Sequence, residues 1–279
     1  MQVKRLVLGT AKVMPGYGVT TSTDLAEDGF SKLLKQANRL GIEWIDTAQS
    51  YSSAESWISR SGLYQFKVAT KISISGQSRE AQLSKVVQSQ ELLGRDKIKI
   101  IFAHDWEDSR TVDRETFKSL QADFPAIKFG ASLYETISLE ELINQPKALS
   151  IIQIPLSVLN QSFLPLLAIC QETNTEVWAR SIFLQGVIDY HSPKNPFKEH
   201  KHIERLAKFC TARNLTPFQV AISFAFSTAV NKIVIGFENE FQLNYVVKLI
   251  QEPQLLIDFK ELASDDPNVI DPRRWKLSD

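Results

Sequence analysis

Eight short runs of strand character, separated by stretches of helical periodicity, constrain this chain more than any other feature. The runs are RLVLG (5–9), IEWID (42–46), FKVATK (66–71), IKIIFAH (98–104), AIKFGAS (126–132), LSIIQI (149–154), EVWARS (176–181) and KIVIG (232–236). Between them, apolar residues recur at the i, i+3, i+4, i+7 spacing of a one-sided helix. Phe30, Leu33, Leu34 and Ala37 make one such set; Leu83, Val86, Val87 and Gln90 a second; Phe163, Leu166, Leu167 and Cys170 a third. PFQVAISFAFSTA (217–229) is apolar almost all round after its proline, and Leu243, Val246, Val247 and Ile250 give a further stripe. Strands alternating with helices imply a parallel sheet. Eight repeats in roughly 250 residues imply an α/β fold of the (β/α)8 TIM-barrel type. The expectation is one barrel domain over residues 1–279, with a C-terminal tail from about 264. The rival is a doubly wound open sheet, but GTAKVMPGYG after the first run lacks the G-x-G-x-x-G turn of a dinucleotide-binding strand.

Composition narrows the partners. With 279 residues and 43% hydrophobic content the chain can bury a large core, and 32 basic residues balance 32 acidic ones. No overall field favours nucleic acid or an anionic membrane, although a local basic patch stays open. The chain has no apolar run of about 18 residues to span a bilayer, and the start MQVKRLVLGT is too short in apolar residues for a signal peptide. Cys170 and Cys210 are too few for a disulfide scaffold and read as packing residues. A reducing compartment, most simply the cytoplasm, is expected.

In a barrel of this type the loops beyond the C-terminal strand ends build the site. Asp46 ends the second run, Lys71 the third and His104 the fourth, and Tyr51 lies one short loop beyond Asp46. Singly, each has an ordinary structural use as a cap, a rim charge or a satisfied polar residue. Three consecutive strand ends carrying such groups argue for a shared mouth. A free tyrosine, with a pKa near about 10, is a weak acid at neutral pH. A nearby Lys71 ammonium would favour the phenolate and make Tyr51 more acidic. Asp46 would balance Lys71, and neutral His104 would orient a carbonyl oxygen. Carbonyl reduction would further require a hydride source, which no side chain supplies.

With these residues in place, the sequence resembles the aldo/keto reductases. The resemblance runs from LVLGTA through GIEWIDTAQSYSSAE, VATKI, IFAHD, FGASLY, IIQIPLSVLNQ and ARSIFLQG to IVIGFENEFQL. It implies a nicotinamide-dependent oxidoreductase that reduces an aldehyde or ketone. Tyr51 would be the general acid, Lys71 would tune it, Asp46 would pair with Lys71 and His104 would orient the substrate. It also implies that Ser132 and Gln153 hold the nicotinamide carboxamide and that Gly9 and Thr10 line the cofactor. Asp46, Arg180, Ser181, Gly236 and Gln242 complete the expected cofactor set. The resemblance implies NADP(H) as the cofactor, with NAD(H) the alternative, and a small carbonyl substrate, sugar-related compounds included. The DPRRW segment and short N-terminus resemble short bacterial members of the family.

The departures concern the cofactor. Leu133 stands where the family commonly has a carboxamide-contacting Asn, and Arg180 where many members stack an aromatic residue on the nicotinamide. Arg180 either stacks there as a planar cation or is a structural rim residue. After the eighth run, Glu238 and Glu240 occupy the loop that faces a 2′-phosphate in NADPH-preferring members, and Tyr245 and Val246 replace the adenine contacts. The two glutamates either complement a helix N-terminus or repel that phosphate, which would then need Arg180, Lys232 or the tail arginines as compensation. No metal site is expected: His200 and His202, two residues apart with Glu199 and Glu204 nearby, match no usual zinc spacing. Because QSYSSAE and ISISGQSR have little bulk, the tail from Asp265, with Arg273, Arg274 and Trp275, either shapes the substrate pocket or only covers the barrel's outside. The alternative to an enzyme is a cofactor-binding redox sensor with little turnover.

Overall fold

A computed structural model describes residues 2–20, 24–62, 65–104, 114–136 and 149–275. The eight runs form β1 (Leu6–Gly9), β2 (Trp44–Asp46), β3 (Lys67–Ile72), β4 (Ile98–Ala103), β5 (Lys128–Ser132), β6 (Ile151–Pro155), β7 (Glu176–Arg180) and β8 (Lys232–Gly236). All neighbours pair in parallel, and β1 closes onto β8 through Leu6 with Ile233 to Gly9 with Gly236. That closure makes the sheet a barrel and excludes the open, doubly wound alternative.

The helices are α1 (Glu27–Arg39), α2 (Ala54–Arg60), α3 (Arg79–Leu93), α4 (Arg114–Asp123), α5 (Leu164–Glu172), α6 (Lys201–Arg213), α7 (Pro217–Ser227), α8 (Glu240–Gln251) and the short α9 (Pro267–Ile270). In α1 the expected stripe of Phe30, Leu33, Leu34 and Ala37 is the buried face. The all-apolar segment becomes α7, started by Pro217 and a reciprocal Thr216–Gln219 capping box, and nearly all its side chains are buried. Leu243, Val246, Val247 and Ile250 face inward from α8.

Helix α3 departs from the apolar reading. It buries Gln82, Val86, Ser89 and Leu93, while Leu83 and Val87 are only half-buried. The reason is a polar anchor: the Ser89 hydroxyl donates to Glu55 Oε1 at 3.1 Å and accepts from Gln49 Nε2 at 2.9 Å. Those bonds turn a partly polar face toward the barrel, so the spacing of leucines and valines alone points to the wrong stripe.

Two apolar regions hold the fold. The larger lies between the strands and the helices. The smaller fills the barrel interior with Val7, Ala69, Ile100, Phe102, Ile151, Trp178 and Val234, against which Trp44 packs. Trp178 is edge-on to Trp44 at 5.1 Å and to Phe102 at 5.9 Å between ring centroids. At Gly130 a Cβ would overlap the Ile151 carbonyl, so β5 and β6 meet only because that position is glycine.

Side chains repeat every second residue along a strand, so the residues two positions on form the next interior layer. Gly9 follows Val7, Asp46 follows Trp44 and Lys71 follows Ala69. In the same way His104 follows Phe102, Gln153 follows Ile151, Arg180 follows Trp178 and Gly236 follows Val234. Above this layer, the loops after β1 and β7 interlock: Val19 N–H donates to Gln185 O at 3.1 Å, and Gly186 packs against Thr20 too closely for any Cβ. Among the described residues no helix is long and apolar enough to cross a membrane.

Candidate active site

A cavity of about 690 Å³ opens at the C-terminal strand ends. Asp46, Tyr51, His104, Ser132, Arg180, Ser181, Gly9, Gly236 and Gln242 line it. Thr10, Lys71 and Gln153, also singled out in the sequence, do not contribute to its wall. They lie behind it, and all three hold Asp46. Lys71 Nζ donates to Asp46 Oδ2 at 2.6 Å and Gln153 Nε2 to Asp46 Oδ1 at 2.7 Å. The Thr10 hydroxyl donates to the Asp46 carbonyl at 3.1 Å. Asp46 is therefore a hub joining β1, β2, β3 and β6, with both carboxylate oxygens engaged and only 3% of its surface exposed.

Burying an ion pair is tolerable only when its remaining valences are satisfied. The Lys71 ammonium is 1% exposed and donates additionally to Thr47 O at 3.0 Å. Burial lowers its pKa from the usual lysine value, opposed by Asp46. The same ammonium sits 5.1 Å from the Tyr51 ring centroid, over the ring face. His104 meets Tyr51 edge-on at 5.8 Å, and its Nδ1 lies 3.2 Å from the Ser50 hydroxyl.

One electrostatic expectation changes. Burial first, and then the Asp46 charge, push the Tyr51 phenol well above the ordinary tyrosine range, while Arg180 pulls it down. The Lys71 ammonium, bonded to Asp46 at 2.6 Å, acts on the phenol together with that carboxylate, which offsets part of its field. Arg180 is the cation that opposes burial. Its Nη2 donates to Leu133 O at 2.8 Å, its guanidinium lies 4.1 Å from the Tyr134 ring centroid, and no carboxylate among the described residues pairs with it. Tyr17, another cavity residue near Tyr51 and Arg180, also has its pKa raised, chiefly by burial.

Sequence reasoning overlooked Lys12, Tyr17 and Tyr134, which also line the cavity. Each lies in a loop beyond a strand end, so the barrel rule that found Tyr51 could have found them. Leu133 is wholly buried and replaces the expected carboxamide partner with core packing. Of the basic groups expected to compensate Glu238, Arg180 lines the same cavity but bonds Leu133 O, whereas Lys232 starts β8 and donates to Lys4 O at 2.6 Å. Arg273 is held by Asp271 at 2.8 Å and lies 4.3 Å from the Tyr134 ring centroid, while Arg274 is 3.8 Å from Asp271. Pro272 reaches the cavity wall, whereas Trp275 packs on Phe197 at 5.2 Å. His200 caps α6 and pairs with Asp266 at 3.3 Å. Among the described residues no group of three or more potential ligands could hold a metal ion.

The sequence pattern of the aldo/keto reductase family matches residues 5–262. Among solved structures, the holo form of the aldo-keto reductase AKR11C1 from Bacillus halodurans has a TM-score of 0.73 at 17% identity, covering 97% of this chain and 95% of that one. The glycerol dehydrogenase AKR11B4 from Gluconobacter oxydans has a TM-score of 0.69 at 18% identity, covering 92% and 89%. At such identities the likeness is one of fold. A comparison with curated proteins finds no match. The family match spans the barrel from its first strand to beyond its last, and the chain belongs to the aldo/keto reductase family of nicotinamide-dependent oxidoreductases.

Proposed function

We propose that this chain reduces an aldehyde or ketone to an alcohol at the Tyr51 cavity, with Tyr51 donating the proton to the carbonyl oxygen. The observation that carries the reading is the convergence of Asp46, Tyr51 and His104 on one cavity, with Lys71 buried against Asp46 behind it. A raised pKa keeps the phenol protonated near neutral pH, the state from which a general acid acts. Arg180 stabilises the negative charge left as the proton departs. His104, edge-on to Tyr51 and next to Ser50, orients the carbonyl oxygen toward the phenol.

A bound nicotinamide dinucleotide supplies the hydride. The residues present fit such a cofactor. Gln153 Nε2 is committed to Asp46, which leaves Gln153 Oε1 as a buried acceptor with no partner. Ser132 is its register partner on the adjacent strand. An orphaned acceptor beside a hydroxyl suits the two sides of a carboxamide. Gly9 and Gly236 are also paired across β1 and β8, and without side chains they permit close backbone approach. NADP(H), the family expectation, would need a cation for its extra phosphate, and of the basic residues on this side of the cavity Lys12 is the nearest to Glu238.

The substrate side is formed partly by the tail. Pro272 contributes to the wall, and Arg273 and Arg180 both stack on Tyr134. Arg273 is already matched by Asp271 and Glu135, so Arg180 is the stronger candidate to meet an anionic or sugar-related carbonyl compound. Two free, buried cysteines suit a reducing compartment such as the cytoplasm.

The test pairs two readouts. Quenching of tryptophan fluorescence by NADH or NADPH reports binding, and loss of nicotinamide absorbance with a reactive aldehyde reports turnover. Both signals are expected. Binding without turnover of aldehydes, ketoses or nucleotide sugars would overturn the reductase reading in favour of a redox sensor.

A further inference from the structure

Beyond β1 and β8 the cavity wall carries an ion pair that no part of the proton-transfer machinery uses. Lys12, just beyond β1, donates to Glu238 Oε1 at 2.9 Å and to the Tyr17 carbonyl at 2.8 Å. Glu238, just beyond β8, accepts from Gln242 Nε2 at 3.1 Å through Oε2, and its backbone N–H donates to Gln242 Oε1 at 2.9 Å. All four residues line the cavity, and the Lys12 and Glu238 side chains are only 15% and 23% exposed. Asn239 caps α8 immediately afterwards by accepting from Gln242 N–H. The glutamate is therefore held on both oxygens, and moving it away breaks the Lys12 salt bridge and the Gln242 side-chain hydrogen bond.

Chemistry at Tyr51 requires the nicotinamide to lie at that end of the cavity. Glu238, Gln242, Tyr245 and Val246 form the part of the lining contributed beyond β8, against which we place the adenosine half of an extended dinucleotide. A 2′-hydroxyl there can donate to Glu238 Oε2 while Lys12 keeps its partner. A 2′-phosphate instead brings up to about two negative charges against a fixed carboxylate. Taking Lys12 as its counter-ion would strip Glu238 of its own, so the phosphate is opposed whichever anion Lys12 chooses. Lys232 and the tail arginines are held elsewhere, and Arg180 is occupied by Leu133 O and the Tyr134 ring.

We infer that the Lys12–Glu238 pair makes this chain selective for NAD(H) over NADP(H), with Glu238 as the 2′-hydroxyl acceptor. The inference rests on the nicotinamide-dependent reading of the cavity. It is tested by titrating NADH and NADPH separately into the full chain at low and high salt, following tryptophan fluorescence, for the wild type, Glu238→Gln and Lys12→Met. The wild type should bind NADH at least about tenfold more tightly than NADPH, a gap of about 1.4 kcal/mol. Glu238→Gln should close or invert that gap, by weakening NADH and releasing Lys12 toward the phosphate, most visibly at low salt. Lys12→Met should leave NADPH disfavoured. Equal or tighter NADPH binding by the wild type, or an unchanged ratio in Glu238→Gln with an unaltered melting temperature, would overturn the inference. Absence of binding by either cofactor would defeat the underlying reading and the inference with it, whereas NADPH-preferring turnover would defeat the inference alone.

Discussion

Two successive layers of the barrel interior, about 7 Å apart along the strands, have opposite chemistry. The lower layer is Val7, Ala69, Ile100, Phe102, Ile151, Trp178 and Val234, packed by dispersion and edge-to-face aromatic contact. The upper contains Asp46, Lys71, His104, Gln153 and Arg180 on the same strands. The upper layer is as deeply buried in places as the lower: Lys71 is 1% exposed and Gln153 is fully buried. What differs is how burial is made tolerable. Below, shape suffices; above, buried charge is met by bonds, the Asp46 carboxylate accepting from Lys71 and Gln153 while Thr10 holds its backbone carbonyl. The lesson is that one strand register, alternating inward every second residue, can serve stability at one level and reactivity at the next.

The sharpest way to break the comparison is to change one oxygen in the upper level. Tyr51→Phe should lower carbonyl turnover by roughly 10² to 10⁴, the usual worth of a general acid, while unfolding free energy and cofactor affinity stay near wild type. Steady-state kinetics with fluorescence titration would show this. Near-normal turnover would remove Tyr51 from its assigned role.

The complementary change is Trp178→Ala in the lower layer, where a fully buried indole touches Trp44 and Phe102. Its loss should cost about 3–5 kcal/mol of stability in urea unfolding. Turnover per folded molecule should fall far less than in Tyr51→Phe. If activity collapsed while stability held, the two levels would not be separable functions.

These expectations also show what was legible before the structure. Compact aliphatic runs bounded by polar segments were enough to place eight strands, and the strand-end rule brought Asp46, Tyr51 and His104 to one cavity. Lys71 was found, but the net shift at Tyr51 was not, because the sequence shows which charges exist and not how deeply the phenol is buried beside Asp46. The buried face of α3 was missed for a related reason: Ser89 is inside because Glu55 and Gln49 are there to bond it. Lys12 went unnoticed since its meaning depends on Glu238, 226 positions away in the chain.

Glu55 gives a pH-dependent probe of the polar bracing around the upper layer. Its carboxylate accepts from Thr70 Oγ1 at 2.6 Å and from Ser89, next to Lys71 in sequence on one side and to α3 on the other. Burial nevertheless dominates and raises its pKa. A raised carboxyl pKa stabilises the fold fully below the unfolded-state pKa, and that contribution is lost as pH rises through the folded-state value. Glu55→Gln does not titrate. The wild type should therefore lose stability relative to Glu55→Gln as pH climbs above the usual carboxylate range, as read from unfolding midpoints across pH. A constant difference across that range would mean that Glu55 does not carry the raised pKa.

The smallest expected effect concerns the rim above the upper layer, where the tail meets the cavity. Val269 in α9 is fully buried, so deleting the tail would uncover core as well as remove Arg273. A point change separates the two. Arg273→Ala removes a guanidinium that stacks on Tyr134, pairs with Asp271 and lies 3.6 Å from Glu135. As a partly exposed pair it should contribute no more than about 1 kcal/mol to stability. If the tail selects an anionic substrate, KM for a phosphorylated aldehyde should rise by up to roughly tenfold, the worth of one charge-assisted bond, while KM for a small neutral aldehyde stays put. Equal rises for both would mean that Arg273 acts by holding Tyr134 and Arg180 in place. No change for either would leave anion recognition to Arg180 alone, and Arg180→Gln should then produce the charge-selective rise that Arg273→Ala did not.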